Sequence, residues 1–263
     1  NEGEFKVMGL SGYGKPIYKK FILENIIEWK NNKIRLNMDW FDFDKNPEKS
    51  YSEKFSKYFG KENKLFSLGK IHSNNFQRAA NIACSFQETL EFILLEVTKW
   101  AINTTGISNV FFSGGVSHNS KAMSKIADLN KVKKFTVPPS PGDSGAALGA
   151  ANFGNFVLNN KFILSSPLHF TNNFFNPLTN IFSNLFDELS KNEDIIPTLS
   201  NLIIKGEIIC IFNDGSETGP RALGNRSIIY SAKLSKTVEK LNAKVKGRES
   251  FRPLSPKKKK KNL

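Results

Sequence analysis

From Asn75 to Thr104 apolar residues recur at Ala79, Ala83, Phe86, Leu90, Ile93, Val97 and Ala101, steps of three and four that predict a long helix with one buried face. Shorter elements come next. Asn109–Ser113 reads as a short buried strand, Gly114-Gly115 as a tight turn, and Asn119–Leu129 as a helix. A second strand at Lys134–Val137, a loop at Pro138–Gly142 and an Ala/Gly-rich helix suited to close packing at Ser144–Phe156 repeat the order. Helix, strand, glycine turn, helix, strand, glycine turn, helix predicts an α/β layer with a parallel sheet, whose strand ends carry the ligand loops. Before it, residues 1–16 hold Gly9, Gly12, Gly14 and Pro16 and are expected to be loop, and Lys19–Lys70 to be mixed helix and strand. After it, Asn160–Asn180 reads as an inter-domain connection. A second unit is predicted from helices at Asn180–Lys191 and Ile196–Lys205 and a strand at Ile208–Phe212.

A hydrophobic content of 39% with 23 Phe in 263 residues excludes whole-chain disorder, because burying that apolar surface offsets the entropy lost on folding. Runs long enough to cross a bilayer are absent from the sequence, and a soluble cytoplasmic protein is the expectation. Cys84 and Cys210 stand far apart without a second Cys or His at ligand spacing, so both are expected to be buried thiols. The net charge of +14 is uneven: from Lys205 onward 15 basic residues face 5 acidic ones, which makes the last quarter the anion-binding part.

Arginine sharpens that inference. Arg221, Arg226, Arg248 and Arg252 are four of the chain's six arginines, against 32 lysines. A guanidinium grips phosphate or carboxylate in two places where an ammonium is a point charge. Gly219–Ser227 joins rigid turns, Arg221, Arg226 and a hydroxyl, a composition that suits an oxyanion pocket; the bland reading is an exposed surface loop. Ser113-Gly114-Gly115 directly follows a strand, where missing side chains let backbone N–H groups approach a phosphate; an isolated Gly-Gly is more often a steric turn. Asp143, in Pro141–Gly145, is either an N-cap or a ligand for a hard cation. His72, His118 and His169 lack metal-binding spacing, and no P-loop, dinucleotide fingerprint or local Ser/His/Asp arrangement occurs.

Five segments, Glu2–Pro16 (EGEFKVMGLSGYGKP), Ser113–Asn119 (SGGVSHN), Pro138–Ala151 (PPSPGDSGAALGAA), Gly219–Ile228 (GPRALGNRSI) and Lys246–Pro256 (KGRESFRPLSP), resemble the ordered motif set of the O-carbamoyltransferases that modify nodulation factors and antibiotics. The resemblance implies the second half of an ASKHA-type domain (actin and sugar-kinase superfamily) over residues 1–158, a linker at 159–190 and the start of a YrdC-like α/β domain at 191–263. It implies that the YrdC-like part forms carbamoyl adenylate from carbamoyl phosphate and ATP. The ASKHA-like part then passes the carbamoyl group to a hydroxyl of a small-molecule or sugar acceptor, helped by an iron-type divalent metal, with or without Mg. On that pattern Gly114, Gly115, Asn119, Gly142 and Gly145 approach the nucleotide and Asp143 is a metal ligand. Arg221, Arg226, Ser227, Lys246, Arg248 and Arg252 hold carbamoyl phosphate and neutralise developing charge.

The chain departs from the pattern in three places. The family's leading His-x-x-x-His metal pair has no counterpart here, Met123 stands where the family often has Asn, and after Arg252–Pro256 the Lys257–Lys261 run replaces the rest of the YrdC-like domain. A truncated enzyme, inactive by itself, is therefore expected. Two rival readings make different predictions: a sugar kinase of the same superfamily would phosphorylate without carbamoyl phosphate, and a basic RNA-binding protein would bind with steep salt dependence. Nucleotide and a small hydroxyl acceptor are the expected partners; membrane and nucleic acid are not.

Overall fold

A computed structural model describes residues 3–46, 48–60, 74–138, 140–162, 169–170, 196–212, 216–217, 219, 222, 224–231, 233, 241–249 and 251–252. The chain forms two compact units, Asn1–Val137 with Phe251–Pro253, and Pro138–Ser250 with Leu254–Leu263. Among the described residues no helix is long and apolar enough to cross a membrane.

The first unit is organised by a 32-residue helix, α4 (Asn74–Thr105), which comes after α1 (Glu4–Leu10), α2 (Lys19–Asn25) and α3 (Glu53–Phe59) in the chain. It matches the predicted helix to within a residue at each end. α1, a turn of 3-10 helix at Ser11–Tyr13, α2 and α5 (Ser120–Ala127) all pack on it. Its buried face extends beyond the apolar positions to Ser85, Gln87, Thr89, Glu91 and Thr98. Ser85, Thr89 and Thr98 satisfy their hydroxyls on the carbonyls one turn back, at 2.7–2.8 Å.

An aromatic core fills the space beside α2: Ile22, Ile26, Trp40 and Phe59 are buried, with Tyr18, Phe21, Phe55 and Phe86 against them. Strands β1 (Ile27–Lys30) and β2 (Lys33–Leu36) form a hairpin whose two-residue turn puts Asn31 and Asn32 at φ 52° and 57°, the left-handed region that asparagine tolerates best after glycine. Strands β3 (Asn109–Phe111) and β4 (Lys134–Thr136) pair in parallel, as the helix–strand order predicted. α5 covers them through Ala122, Met123 and Ile126, packed on Phe112, Phe135 and Val137.

Two expectations for this unit are corrected. Residues 1–16 are not all loop: Glu4–Leu10 is helical, because Gly9 and Leu10 bury against α4, Leu10 among Phe76, Ala79, Ala80 and Ala83. Tertiary packing thus overrides the glycine content, and Glu4 in the first turn suits the helix dipole. Nor is β3 buried throughout; the pleat turns Val110 inward and leaves Phe111 66% exposed.

In the second unit α6 (Ala146–Asn159) follows a 3-10 turn at Asp143–Gly145 and ends at Asn160 in the left-handed region, φ 51°. Its Ala/Gly content permits close packing, but none of its residues is buried. β5 (His169–Phe170) pairs with β7 (Ser216–Glu217), and β6 (Ile209–Phe212) with β8 (Arg226–Ile229), both antiparallel. α7 (Ile196–Ile204) and β6 match their predictions within a residue. The predicted helix at 180–191 and most of the 160–180 connection lie outside the described residues. Cys84 is buried but Cys210 is exposed, because β6 alternates and Cys210 falls on its outer face.

Candidate functional site

Within the first unit, the motif at Glu2–Pro16 and the motif at Ser113–Asn119 meet over one stretch of α4. The first is strapped down. Gly14 sits so close to α4 that a Cβ there would overlap the Ala80 carbonyl, which admits only glycine. The Lys15 N–H donates to Asn81 Oδ1 at 2.8 Å, the Tyr18 N–H to Ser85 Oγ at 3.0 Å, and Gln77 Nε2 to the Tyr13 carbonyl at 3.1 Å. Ser11 is buried and donates to the Met8 carbonyl at 2.7 Å.

The second motif leaves β3 as an exposed turn. Gly114, at φ 98°, starts a 3-10 turn over Gly115–His118, which Ser117 closes by donating to the Gly114 carbonyl. Ser113, Gly114, Gly115 and Val116 are all exposed, and the space around both glycines is open. The two motifs approach each other at the Phe5 and His118 rings, 6.4 Å apart, and just past the second motif Lys121 Nζ of α5 donates to Ser11 Oγ at 3.1 Å. A third motif reaches the same unit, where Phe251 is buried beside Phe76 in the Leu10 cluster and Arg252 comes next, half-buried.

Beneath the turn runs a buried polar seam that sequence reasoning missed. Asn119 caps α5 by accepting from the Ala122 N–H at 3.1 Å. Its carboxamide is also closed into a ring with Gln87: Gln87 Nε2 donates to Asn119 Oδ1 at 2.9 Å and Asn119 Nδ2 donates to Gln87 Oε1 at 2.8 Å. The second Gln87 N–H goes to Glu91 Oε1 at 2.8 Å, and Glu91 Oε2 accepts from Lys125 Nζ. That hydrogen bond raises the Lys125 ammonium above the ordinary lysine value, against the opposing effect of burial. Cys84, on the same helix, has its thiol pushed up by burial, with Glu88 adding to the rise. A signal was present in the sequence: Ala80, Cys84, Gln87, Glu91, Leu94, Thr98 and Ile102 step by threes and fours, so Gln87 and Glu91 sit on a face otherwise apolar or small.

In the second unit, Ser140–Gly145 forms a tight loop ahead of α6. Ser140 and Pro141 are buried, and a Cβ on Gly145 would overlap the Ser140 carbonyl, so the loop closes only with glycine there. Gly142 is half-buried, and Asp143 is exposed in the turn that leads into α6. Ser140 Oγ is buried with no hydrogen-bond partner among the described residues. Among those residues no three His, Cys, Asp or Glu side chains are grouped to hold a metal ion, so Asp143 alone does not constitute a metal site.

Arg226 opens β8 opposite Phe212 and Ser227 stands opposite Ile211, which puts the two side chains on opposite faces of the ribbon. Arg248 Nε donates to Oδ1 of the fully buried Asn242 at 2.9 Å, and the Arg248 N–H donates to the Asn242 carbonyl, also at 2.9 Å. Its charge reaches Tyr230, whose hydroxyl is nonetheless pushed above the usual phenol range by burial. Lys246 is exposed just past a π-helical turn at Leu241–Val245. Arg221 lies outside the described residues, and Arg252 belongs to the first unit. Of the four arginines near the carboxyl end, Arg226 and Arg248 thus belong to the second unit and Arg252 to the first.

Sequence comparison gives these motifs a common origin. The family model "Carbamoyltransferase N-terminus" matches residues 1–152 and "Carbamoyltransferase C-terminus" matches residues 200–263. The chain belongs to the carbamoyltransferase family. An uncharacterized protein of Synechocystis sp. is 31% identical over 269 residues, 97% of this chain and 43% of the relative. The nodulation protein NolNO of Sinorhizobium fredii is 27% identical over 263 residues, 96% of this chain and 36% of NolNO. The nodulation protein NolO of Bradyrhizobium diazoefficiens is 28% identical over 190 residues, 68% of this chain and 34% of NolO. The chain therefore spans less than half the length of these relatives, and Met123, one of the three departures from the family pattern, is buried in the α5 core cluster.

Proposed function

We propose that the chain is the nucleotide- and carbamoyl-phosphate-handling portion of an O-carbamoyltransferase. The observation that carries this reading is that the first motif, strapped to α4, reaches the open Gly114–His118 turn and the helix after it: the Phe5 and His118 rings lie 6.4 Å apart, and Lys121 of α5 donates to Ser11 at 3.1 Å. An exposed glycine turn after a parallel strand offers backbone N–H groups to phosphate oxygens without side-chain obstruction. Gly114 and Gly115 serve the nucleotide in the first unit, and Gly142 and Gly145 allow the Ser140–Gly145 loop its close turn in the second.

Carbamoyl adenylate keeps a single phosphorus, the α-phosphorus of ATP. Balance therefore requires carbamoyl phosphate, ATP and one water to yield carbamoyl adenylate, pyrophosphate and inorganic phosphate. The acceptor hydroxyl then attacks the carbamoyl carbon, losing its proton, and AMP leaves. Arg226, Arg248 and Lys246 carry the positive charge that carbamoyl phosphate needs in the second unit, and the family motif adds the Ser227 hydroxyl and Arg221 to that set. No step is routed through Asp143 or a metal, because the described residues do not assemble a ligand set.

The test is equilibrium dialysis of the purified chain with radiolabelled ATP, then an assay for pyrophosphate release on adding carbamoyl phosphate. Saturable ATP binding is expected, weakened at least tenfold by Gly114→Val, with no release from this portion alone. ATP binding that is absent, or that survives Gly114→Val unchanged, contradicts the reading, and pyrophosphate release overturns the expectation of inactivity.

A further inference from the structure

The seam under the Ser113–Asn119 turn is larger than a helix cap requires. Capping α5 needs only Asn119 Oδ1 on the Ala122 N–H, yet Asn119 also closes a two-bond ring with Gln87, and Gln87 is only 2% exposed. Burying a carboxamide is costly unless its groups are paired, and here both Gln87 N–H bonds and its oxygen are used. Glu91, one helical turn on and 2% exposed, accepts from both Gln87 and Lys125. Helix α5 is thus tied to α4 twice: at its cap through Gln87, and in its last turn, through Lys125, by Glu91. At the end of the turn before the cap, the His118 ring lies 6.4 Å from that of Phe5. Residues 113–116 are exposed, and besides Ser117 closing on Gly114 its end is set by Asn119, whose N–H donates to the Val116 carbonyl at 2.9 Å.

We infer that Gln87, supported by Glu91, is a positioning residue: it fixes the Asn119 carboxamide and so holds the Gly114–His118 turn in the form that receives the nucleotide phosphates. This rests on the nucleotide role proposed above for that turn. It assigns Asn119 to the framework of the turn, with Gln87 acting on the ligand only through it. The physical argument is rotameric. An Asn carboxamide held by the cap bond alone keeps an Nδ2 to place elsewhere, whereas the ring with Gln87 selects one orientation, and Glu91 selects the orientation of Gln87.

The test uses the full chain and two variants, Gln87→Met, close to glutamine in size, and Asn119→Asp, which keeps the cap oxygen but cannot donate to Gln87. Hydrogen–deuterium exchange is monitored at the amides of Ser117 and Asn119, with β4 at 134–136 as the internal reference, and ATP binding is measured by equilibrium dialysis on the same preparations. Exchange at the turn is expected to rise at least tenfold with β4 within twofold of wild type, together with at least tenfold weaker ATP binding. A purely stabilising role would raise exchange at the turn and at β4 by a common factor, and that result overturns the inference. So does turn exchange within twofold of wild type in the variant that folds, or faster exchange with undiminished ATP binding. Absence of ATP binding by the wild-type chain counts against the nucleotide role alone, since the exchange measurement still decides whether Gln87 holds the turn.

Discussion

Glu91 gives up nearly all contact with water and in return accepts two hydrogen bonds, one from a carboxamide and one from an ammonium that remains half in solvent. Removing it leaves a buried Gln87 N–H without its acceptor while Lys125 can still be hydrated. Glu91→Ala should therefore destabilise the chain by about 1–3 kcal/mol, read from urea unfolding. Titration gives a second expectation. Both Lys125 and Cys84 have folded-state values raised above their ordinary 10.5 and 9.0, so each contributes stability that is complete below the unfolded value and is lost as pH rises through the folded one. Stability should fall from about pH 9 upward, where the unfolded thiol releases its proton first, and Cys84→Ala should flatten the onset. With Ellman's reagent at about pH 8 one thiol, Cys210, should react quickly and Cys84 only on unfolding; two fast thiols would contradict the burial of Cys84. The seam escaped sequence reading because a glutamine and a glutamate on a helix ordinarily mark its wet face, and only their register with Ala80, Leu94 and Ile102 betrays them.

At the scale of elements, legibility tracked length and period. α4 was readable because seven apolar positions repeat over about six turns, too many for chance. α1 was not, since seven residues cannot hold a helix by propensity and its stability comes from Leu10 and Gly9 against α4. The glycines mislead there: Gly9, whose type suggests loop, is a packing surface, while Gly14 is needed for contact with a carbonyl rather than for a turn. Gly14→Ala should lift the strap and cost about 1–3 kcal/mol in thermal or denaturant unfolding, as overpacking does. An unchanged midpoint would mean that the strap does not bear on Ala80. In α6 the Ala and Gly residues permit close packing without supplying apolar area to drive it, and Phe153, Val157 and Leu158 remain exposed.

For the whole molecule, the order of five motifs revealed the family, and the matches over residues 1–152 and 200–263 agree with it. Which motifs share a unit was not legible, because that depends on chain return: Phe251, far along the sequence, joins the core of Leu10 and Phe76. The arginine argument met the same limit, since composition counts guanidinium groups but does not say that Arg248 is taken up with Asn242 or that Arg252 goes with Phe251 into the first unit. The central claim is that nucleotide is received over α4 by the strap and the glycine turn. Photolabelling the purified chain with 8-azido-ATP and mapping the modified peptides tests it most directly. Label within Met8–Pro16 or Ser113–Lys121, displaced by excess ATP, is the predicted result; label confined to Lys257–Lys261 and abolished by salt would contradict it.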